Sequence, residues 1–328
     1  MRPAIIILDK EGEYTNFASP SQMSPVARKY LKENNISPIT PVVYTLHDDE
    51  SRADATLSLR ALEPEDIVYL TPQLESKTEN IFRLLAGRVK DYFDSNQIPL
   101  EITSFRDRLL QESNNSNLIH IAQRPAIARA ILSPSLTLFD RKNKIPLIPG
   151  KLLEPGKISV INCQGLDRNK RRVVALYLLL MLDRFQMNSN SKVGVLLVID
   201  EAEELFSQNP HKSEKEYVTR IVGKMEDIVN RGRKHNFGVI LVTHSPGALA
   251  ASVADLTNAK VAFGCSGGEK WARDYFGKEN VAEISDLRTG KARIAVKIGN
   301  ENQEHLNLRI RIPYIGNADN LPNRGEAQ

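Results

Sequence analysis

The sequence has only two cysteines, Cys163 and Cys265, far apart and without metal-ligand spacing. That argues against a disulfide framework or a cysteine-based zinc site. Long apolar runs are missing too. The longest, Val173 to Leu182 in "RRVVALYLLLMLDRF", ends at Asp183; it is too short to cross a bilayer and reads as a helix buried in a core. No signal pattern opens the chain, and no internal repeat is visible. Charge of one sign is not in strong excess either. A formal net charge of +4 over 328 residues permits contact with nucleic acid without arguing for it, so any basic surface must be local. With 41% hydrophobic and 26% charged residues, the composition is that of a soluble protein large enough for one big domain or two small ones. The expectation is a reduced, cytoplasmic protein with no membrane segment.

What is present is most informative at "VGVLLVIDEAEELF", Val193 to Phe206. An uninterrupted apolar run that ends in Asp200 and Glu201 reads as a strand buried on both faces, as in parallel sheets covered by helices. Acids at the carboxyl end of such a strand lie where open α/β sheets bind ligands. One use of the pair is for Asp200 to hold Mg²⁺ on a nucleotide while Glu201 polarises the attacking water. The other is a solvated strand end with no chemistry.

The pattern extends along the chain. "MRPAIIILDKEGEY" is again an apolar run ending in acids and predicts a first strand, with Asp9, Glu11 and Glu13 at its end. "SPVARKYLKENN", with Ser24 as candidate N-cap and Pro25 in the first turn, predicts a helix, and "TPVVYTL" another strand. From about Glu63 to Phe139, apolar residues recur at three- and four-residue steps, among them Ile81, Leu84, Leu85, Val89 and Phe93. This predicts an all-helical insertion. Strand and helix then alternate: "GKISVINCQGLD", a buried helix from about Asn169 to Met187, the Asp200 strand, a helix at "YVTRIVGKMEDIVNRGRKH" and the strand "FGVILVTHSP". Such alternation predicts right-handed crossovers and a parallel sheet. After Lys260 the strands "KVAFGC", "ARIAVKIG" and "LNLRIRI", with a short helix at "EKWARDYFG", are expected to extend that sheet in mixed orientation. The expected divisions are 1–60 and 151–315 for the α/β core, 61–150 for the insertion and 316–328 for a polar tail.

A third polar strand end is Thr243 and His244 in "VTHSP". A hydroxyl or imidazole beside a metal-binding acid suits sensing of a γ-phosphate, although a threonine entering a turn is also commonplace. Two basic clusters stand out. "NRGRKH" ends the helix before that strand with Arg231, Arg233, Lys234 and His235; the helix dipole accounts for it, and so does an arginine finger on a neighbouring subunit's γ-phosphate. "DRNKRR", Asp167 to Arg172, opens a helix where positive charge is unfavourable. Another job is expected for it, contact with phosphate or with an adjacent subunit.

Taken in order, "IIILDKEGEY", "LLEPGKISVINCQGLD", "LLVIDEAEELF", "NRGRKHNFGVILVTHSP" and "DLRTGKARI" resemble the ATPase core of HerA-type DNA translocases, in the HerA/FtsK superfamily of hexameric motor ATPases. The resemblance covers nearly the whole chain. It implies a RecA-like P-loop NTPase fold, mainly parallel, that uses ATP and Mg²⁺. It makes Asp200 the Walker B magnesium acid, Glu201 the catalytic glutamate, Arg233 the first and Arg231 the second choice for a trans-acting arginine, and Thr243 the sensor. Asp9 and Glu13 are expected near the cofactor. His244 stands where the family has glutamine. No G-x-x-x-x-G-K-[ST] occurs; "PGKLL" and "PGKIS" lack its first glycine and its hydroxyl residue.

The expectation is therefore an α/β, RecA-like core lacking its first strand and P-loop, with a helical insertion. The implied activity is ATP-driven movement along double-stranded DNA by a homo-hexameric ring with a nuclease partner, the P-loop being supplied by upstream sequence or another polypeptide. The loop "FSQNPHKSEKEY", with Lys212 and Lys215, either faces DNA in the ring's pore or is a plain surface loop. Two other readings stay open: a non-hydrolysing DNA-binding or oligomerisation module, and an inactive truncated fragment.

Overall fold

The computed structural model describes residues 2–16, 25, 29, 32–33, 40–71, 74–117, 119–188, 193–212, 214–232, 236–264, 268–288, 291–298 and 302–309. Most of the first predicted helix, with its N-cap Ser24, the polar tail, Cys265 and the basic residues Arg233 to His235 lie outside the described residues.

The chain begins with β1 (Ala4–Asp9), β2 (Val42–His47) and the two-residue β3 (Ala55–Thr56). The helical segment follows as α1 (Pro64–Tyr69), α2 (Ser76–Ser95), α3 (Ile102–Asn115) and α4 (Arg124–Ile131). β4 (Ile145–Pro146) then returns parallel to β3, so the helices leave and rejoin the rest of the chain at one place. Phe82, Leu85, Ala86, Val89 and Phe93 form the buried stripe of α2, the three- and four-residue spacing that a helix needs to cover a core.

α5 (Pro149–Leu152) leads into β5 (Ile158–Gly165), α6 (Arg168–Asn188), β6 (Val195–Ile199), α7 (Ala202–Leu205), α8 (Lys215–Gly232) and β7 (Phe237–Leu241). The five long strands form one sheet in the order β2-β5-β1-β6-β7, all parallel. The apolar run of α6 is its largest buried element, with Val173 to Leu182 at most 1% exposed. A helix that is apolar all round is expected to be enclosed on all sides, and this one belongs to a single core shared by the sheet and the helical segment.

α9 (Ala251–Leu256), β8 (Ala259–Ala262), α10 (Glu269–Phe276), α11 (Val281–Ser285), β9 (Lys291–Ile298) and β10 (Asn302–Arg309) complete the described chain. Here the structure departs from expectation. β8, β9 and β10 do not extend the parallel sheet but form a separate antiparallel sheet, in the order β10-β9-β8. Ala262, Ala272, Phe276, Ile284 and Ala295 give this part its own small core.

β6 also differs from a strand buried on both faces: Val195, Leu197 and Ile199 are buried, whereas Leu196 and Val198 are only half-buried. β7 is more open still. No residue in it is fully buried, and Ile240 is 45% exposed. Its hydrogen bonds explain the position. Asn236 O accepts from Val195 N at 2.9 Å and Val242 N donates to Ile199 O at 2.9 Å, so alternate residues face β6. The backbone groups of Val239 and Leu241 therefore face the outer side. Among the described residues no strand pairs with that side.

Candidate functional site

Because β1, β5, β6 and β7 run parallel, their carboxyl ends share one edge of the sheet. The register levels Asp9 with Asn162, Leu8 with Ile199, and Ile199 with Leu241. Asp9, Asp200, Glu201, Thr243 and His244, which lie far apart in sequence, come together at that edge, with Glu13 on its exposed rim.

The two aspartates have different surroundings. Asp9 is fully buried; its carboxylate accepts from the backbone N–H groups of Gly12 (2.9 Å), Glu13 (3.2 Å) and Tyr14 (3.0 Å). Gly12, at φ 77°, supplies the left-handed residue that brings the three donors round. Asp9 thus shapes the loop after β1. Burial pushes its carboxyl above the ordinary range against these bonds, and the nearby Asp200 charge adds to the rise. Asp200 is half-buried. Its N–H donates to Leu8 O at 3.3 Å and its Oδ1 accepts from Glu201 N at 3.0 Å. Burial raises this carboxyl too; the charges of Glu201 and Glu203 add, while the Glu201 N–H and His244 oppose. The Tyr14 hydroxyl is hydrogen-bonded to Asp200, and burial followed by the charges of Asp200, Glu13 and Asp9 pushes it up to about 12.

Glu201 occupies the left-handed region, φ 47° and ψ 48°, a conformation that costs a non-glycine residue about 1–2 kcal/mol. It is held there because Ala202 N donates to Val242 O and Glu204 N to Glu201 O, each at 2.9 Å. Strain of this kind collects at functional sites. The Glu201 carboxylate is ion-paired with Lys10. Thr243 is half-buried, its hydroxyl accepting from Ser245 N at 3.1 Å, and His244 is exposed beside it.

Arg231 is elsewhere. It lies in the last turn of α8, and since Asn236 is level with the start of β6, this turn is at the amino edge of the sheet. Its guanidinium is 3.2 Å from Asp183, which also binds Lys224 at 2.8 Å. The two "PGK" turns are at the amino edge as well: Gly156 N donates to Pro3 O at 3.2 Å and Ile5 N to Lys157 O at 2.9 Å. Lys157 Nζ is spent on Lys151 O at 2.5 Å and Glu154 at 3.1 Å. Neither turn stands by the carboxylates.

The "DRNKRR" cluster binds this chain's own groups. Arg172, 1% exposed, donates to Glu204 O at 3.1 and 3.2 Å and lies 3.1 Å from the Glu214 carboxylate. Arg171 donates to Leu166 O at 2.7 Å and to Glu204 Oε2 at 3.1 Å. Lys170 donates to Asp48 at 2.5 Å. In the loop after α7, Gln208 N donates to Ala248 O at 2.7 Å, while Lys212 and Lys215 are exposed.

Sequence reasoning passed over Lys10, Tyr14 and Glu204. The signal for Lys10 was local: a lysine directly after the buried aspartate of a strand adjoining the Asp200 strand. Glu204 carried no such sign, because its partners come from two other elements. Among the described residues no group of three or more His, Cys, Asp or Glu could hold a metal unaided, and no helix is long and apolar enough to cross a membrane.

Comparison with known proteins bears on the family and the fold. The model of the HerA helicase central domain matches residues 1–182. The DNA double-strand break repair helicase HerA of Sulfolobus acidocaldarius is 24% identical over 268 residues, 78% of this chain and 48% of that protein; the chain spans about half the length of this curated relative. Among solved structures, the plasmid coupling protein TrwB in complex with a non-hydrolysable ATP analogue has a TM-score of 0.60 at 15% identity, covering 98% of this chain and 80% of that one; the same protein is known with ADP and Mg²⁺. VirB4 of Thermoanaerobacter pseudethanolicus has a TM-score of 0.57 at 12% identity, covering 95% and 83%. The mainly parallel sheet is that of the RecA-like P-loop NTPases, and with the central-domain model matching more than half of its length, the chain belongs to the HerA helicase family.

Proposed function

We propose that this chain is the portion of a HerA-like ATPase that carries the Walker B acids, and that it couples ATP hydrolysis to movement along double-stranded DNA in a homo-hexameric ring. The observation that carries the reading is the meeting of Asp200, a strained Glu201, Thr243 and His244 at one carboxyl edge. Glu201 polarises the attacking water, Thr243 senses the γ-phosphate with His244 in place of the usual glutamine, and Asp9 shapes the loop from which Glu13 faces the approach. A single hard carboxylate at Asp200 suits Mg²⁺, which is held by one or two carboxylates together with phosphates and water. Bound there, the ion would neutralise charge on the phosphates.

The phosphate-holding loop, in this reading, comes from a segment outside these 328 residues, in upstream sequence or another polypeptide. The open side of β7 supports this. Natural edge strands are blunted by charge, proline or a covering element, whereas "FGVIL" is apolar and unpaired among the described residues. A parallel strand added there would place its own carboxyl end beside Thr243. Arg231 lies at the far edge from its own Asp200, and it, or by preference Arg233, which is outside the described residues, would act on a neighbouring subunit's nucleotide. Lys212 and Lys215 would face DNA. A nuclease partner and a cytoplasmic location complete the proposal.

Glu201→Gln in this chain together with the segment that carries the P-loop tests it. Water activation is lost while Asp200 remains, so kcat should fall by roughly two to four orders of magnitude with ATP binding preserved. Near-normal turnover would remove Glu201 from the mechanism.

A further inference from the structure

Lys10 follows Asp9 at the end of β1, next to β6 in the sheet. Its ammonium is ion-paired with Glu201, and lies 3.1 Å from Glu11 and 3.2 Å from Glu204. The side chains of Lys10, Glu201 and Glu204 are 19%, 21% and 17% exposed, so the pairs are only weakly screened by water. A carboxylate oxygen engaged by an ammonium has that direction closed to a water molecule. Glu201 in this arrangement is withheld from a water molecule.

The cluster contains its own means of release. One ammonium serves three carboxylates, so Lys10 keeps Glu11 and Glu204 when it leaves Glu201. Glu204 is tied in turn to Arg171 at 3.1 Å and lies 3.8 Å from Arg168. The exchange leaves no cation without a partner. The Glu201 backbone is fixed on both sides, so the change is confined to side chains, and two arrangements of similar energy are what a switch requires.

We infer that Lys10 is a positioning residue for Glu201, holding its carboxylate away from water at rest and releasing it by moving onto Glu11 and Glu204. The inference rests on the proposed role of Glu201. A mere tether between the β1 loop and α7 would contribute stability and leave turnover alone.

The test uses the chain together with the segment that carries the P-loop for kinetics, and the unliganded chain for melting. Lys10→Met, and Lys10→Gln should the first not fold, are expected to raise DNA-free kcat at least about threefold, with KM for ATP within about twofold. Lys10→Arg, which keeps the charge, should restore the wild-type rate. In the unliganded chain, the changes in Tm for Lys10→Met and Glu201→Gln should fall short of additivity by about 2–4 °C, showing that the pair is coupled without nucleotide. A kcat for Lys10→Met that is unchanged or lowered, while Glu201→Gln still abolishes turnover, overturns the inference alone. An ATPase indifferent to Glu201→Gln defeats the proposed function and this inference with it.

Discussion

Two aspartates end apolar strands in this chain, and only their surroundings separate them. Asp9 has three backbone donors, whereas Asp200 has one and keeps an oxygen near Tyr14. The sequence shows acids at both strand ends and cannot show this difference, since it depends on the turn that Gly12 permits. A third acid gives a prediction. Asp140, in the left-handed region at φ 42°, accepts from Leu59 N at 2.9 Å, and burial raises its carboxyl to about 6, against that bond, a hydrogen bond from the Ser58 side chain and the charges of Arg60 and Lys90. The folded state thus favours the protonated form. Ionisation opposes folding, fully above about pH 6 and not at all below about pH 4. Asp140→Asn should raise Tm by about 2–4 °C at pH 8, and the gain should vanish by about pH 4. A gain that persists in acid would mean the charge is not the cause.

At the scale of elements, long apolar periodicity was the legible part. β1, β5, β6, β7, α6 and α8 stand where runs of branched residues or three- and four-residue spacing placed them, because burial of those stripes decides local structure. Pairing across the chain was less legible. That β8 to β10 form a sheet of their own depends on which edges meet, which local pattern does not encode. The basic start of α6 shows the same limit. Four cations in one turn invited a search for an external anion, yet Arg172 is enclosed by Glu204 and Glu214 of this chain. Arg172→Met should accordingly cost about 3 kcal/mol of stability, because an acceptor and a carboxylate lose their buried partner. Denaturant unfolding measures it, and a loss under about 1 kcal/mol would place Arg172 among weak surface pairs.

At the scale of the whole molecule, the carboxyl edge gathers the groups proposed to act on a bound nucleotide, and the apolar outer side of β7 is paired with no strand among the described residues. In the proposed reading the phosphates are held by a segment these residues do not contain. A P-loop gives several backbone N–H groups and a lysine to the phosphates, at about 1.5–3 kcal/mol for each charge-assisted bond. Without three of them, affinity falls by roughly three to six orders of magnitude. Asp200 does not compensate, since a magnesium ligand has nothing to bridge until the phosphates are in place. Calorimetric titration of this chain with Mg-ATP is the direct measurement. No heat of binding is expected at micromolar ligand, and heat should appear once a polypeptide carrying the P-loop strand is added; micromolar binding by the chain alone would mean that its own residues hold the phosphates.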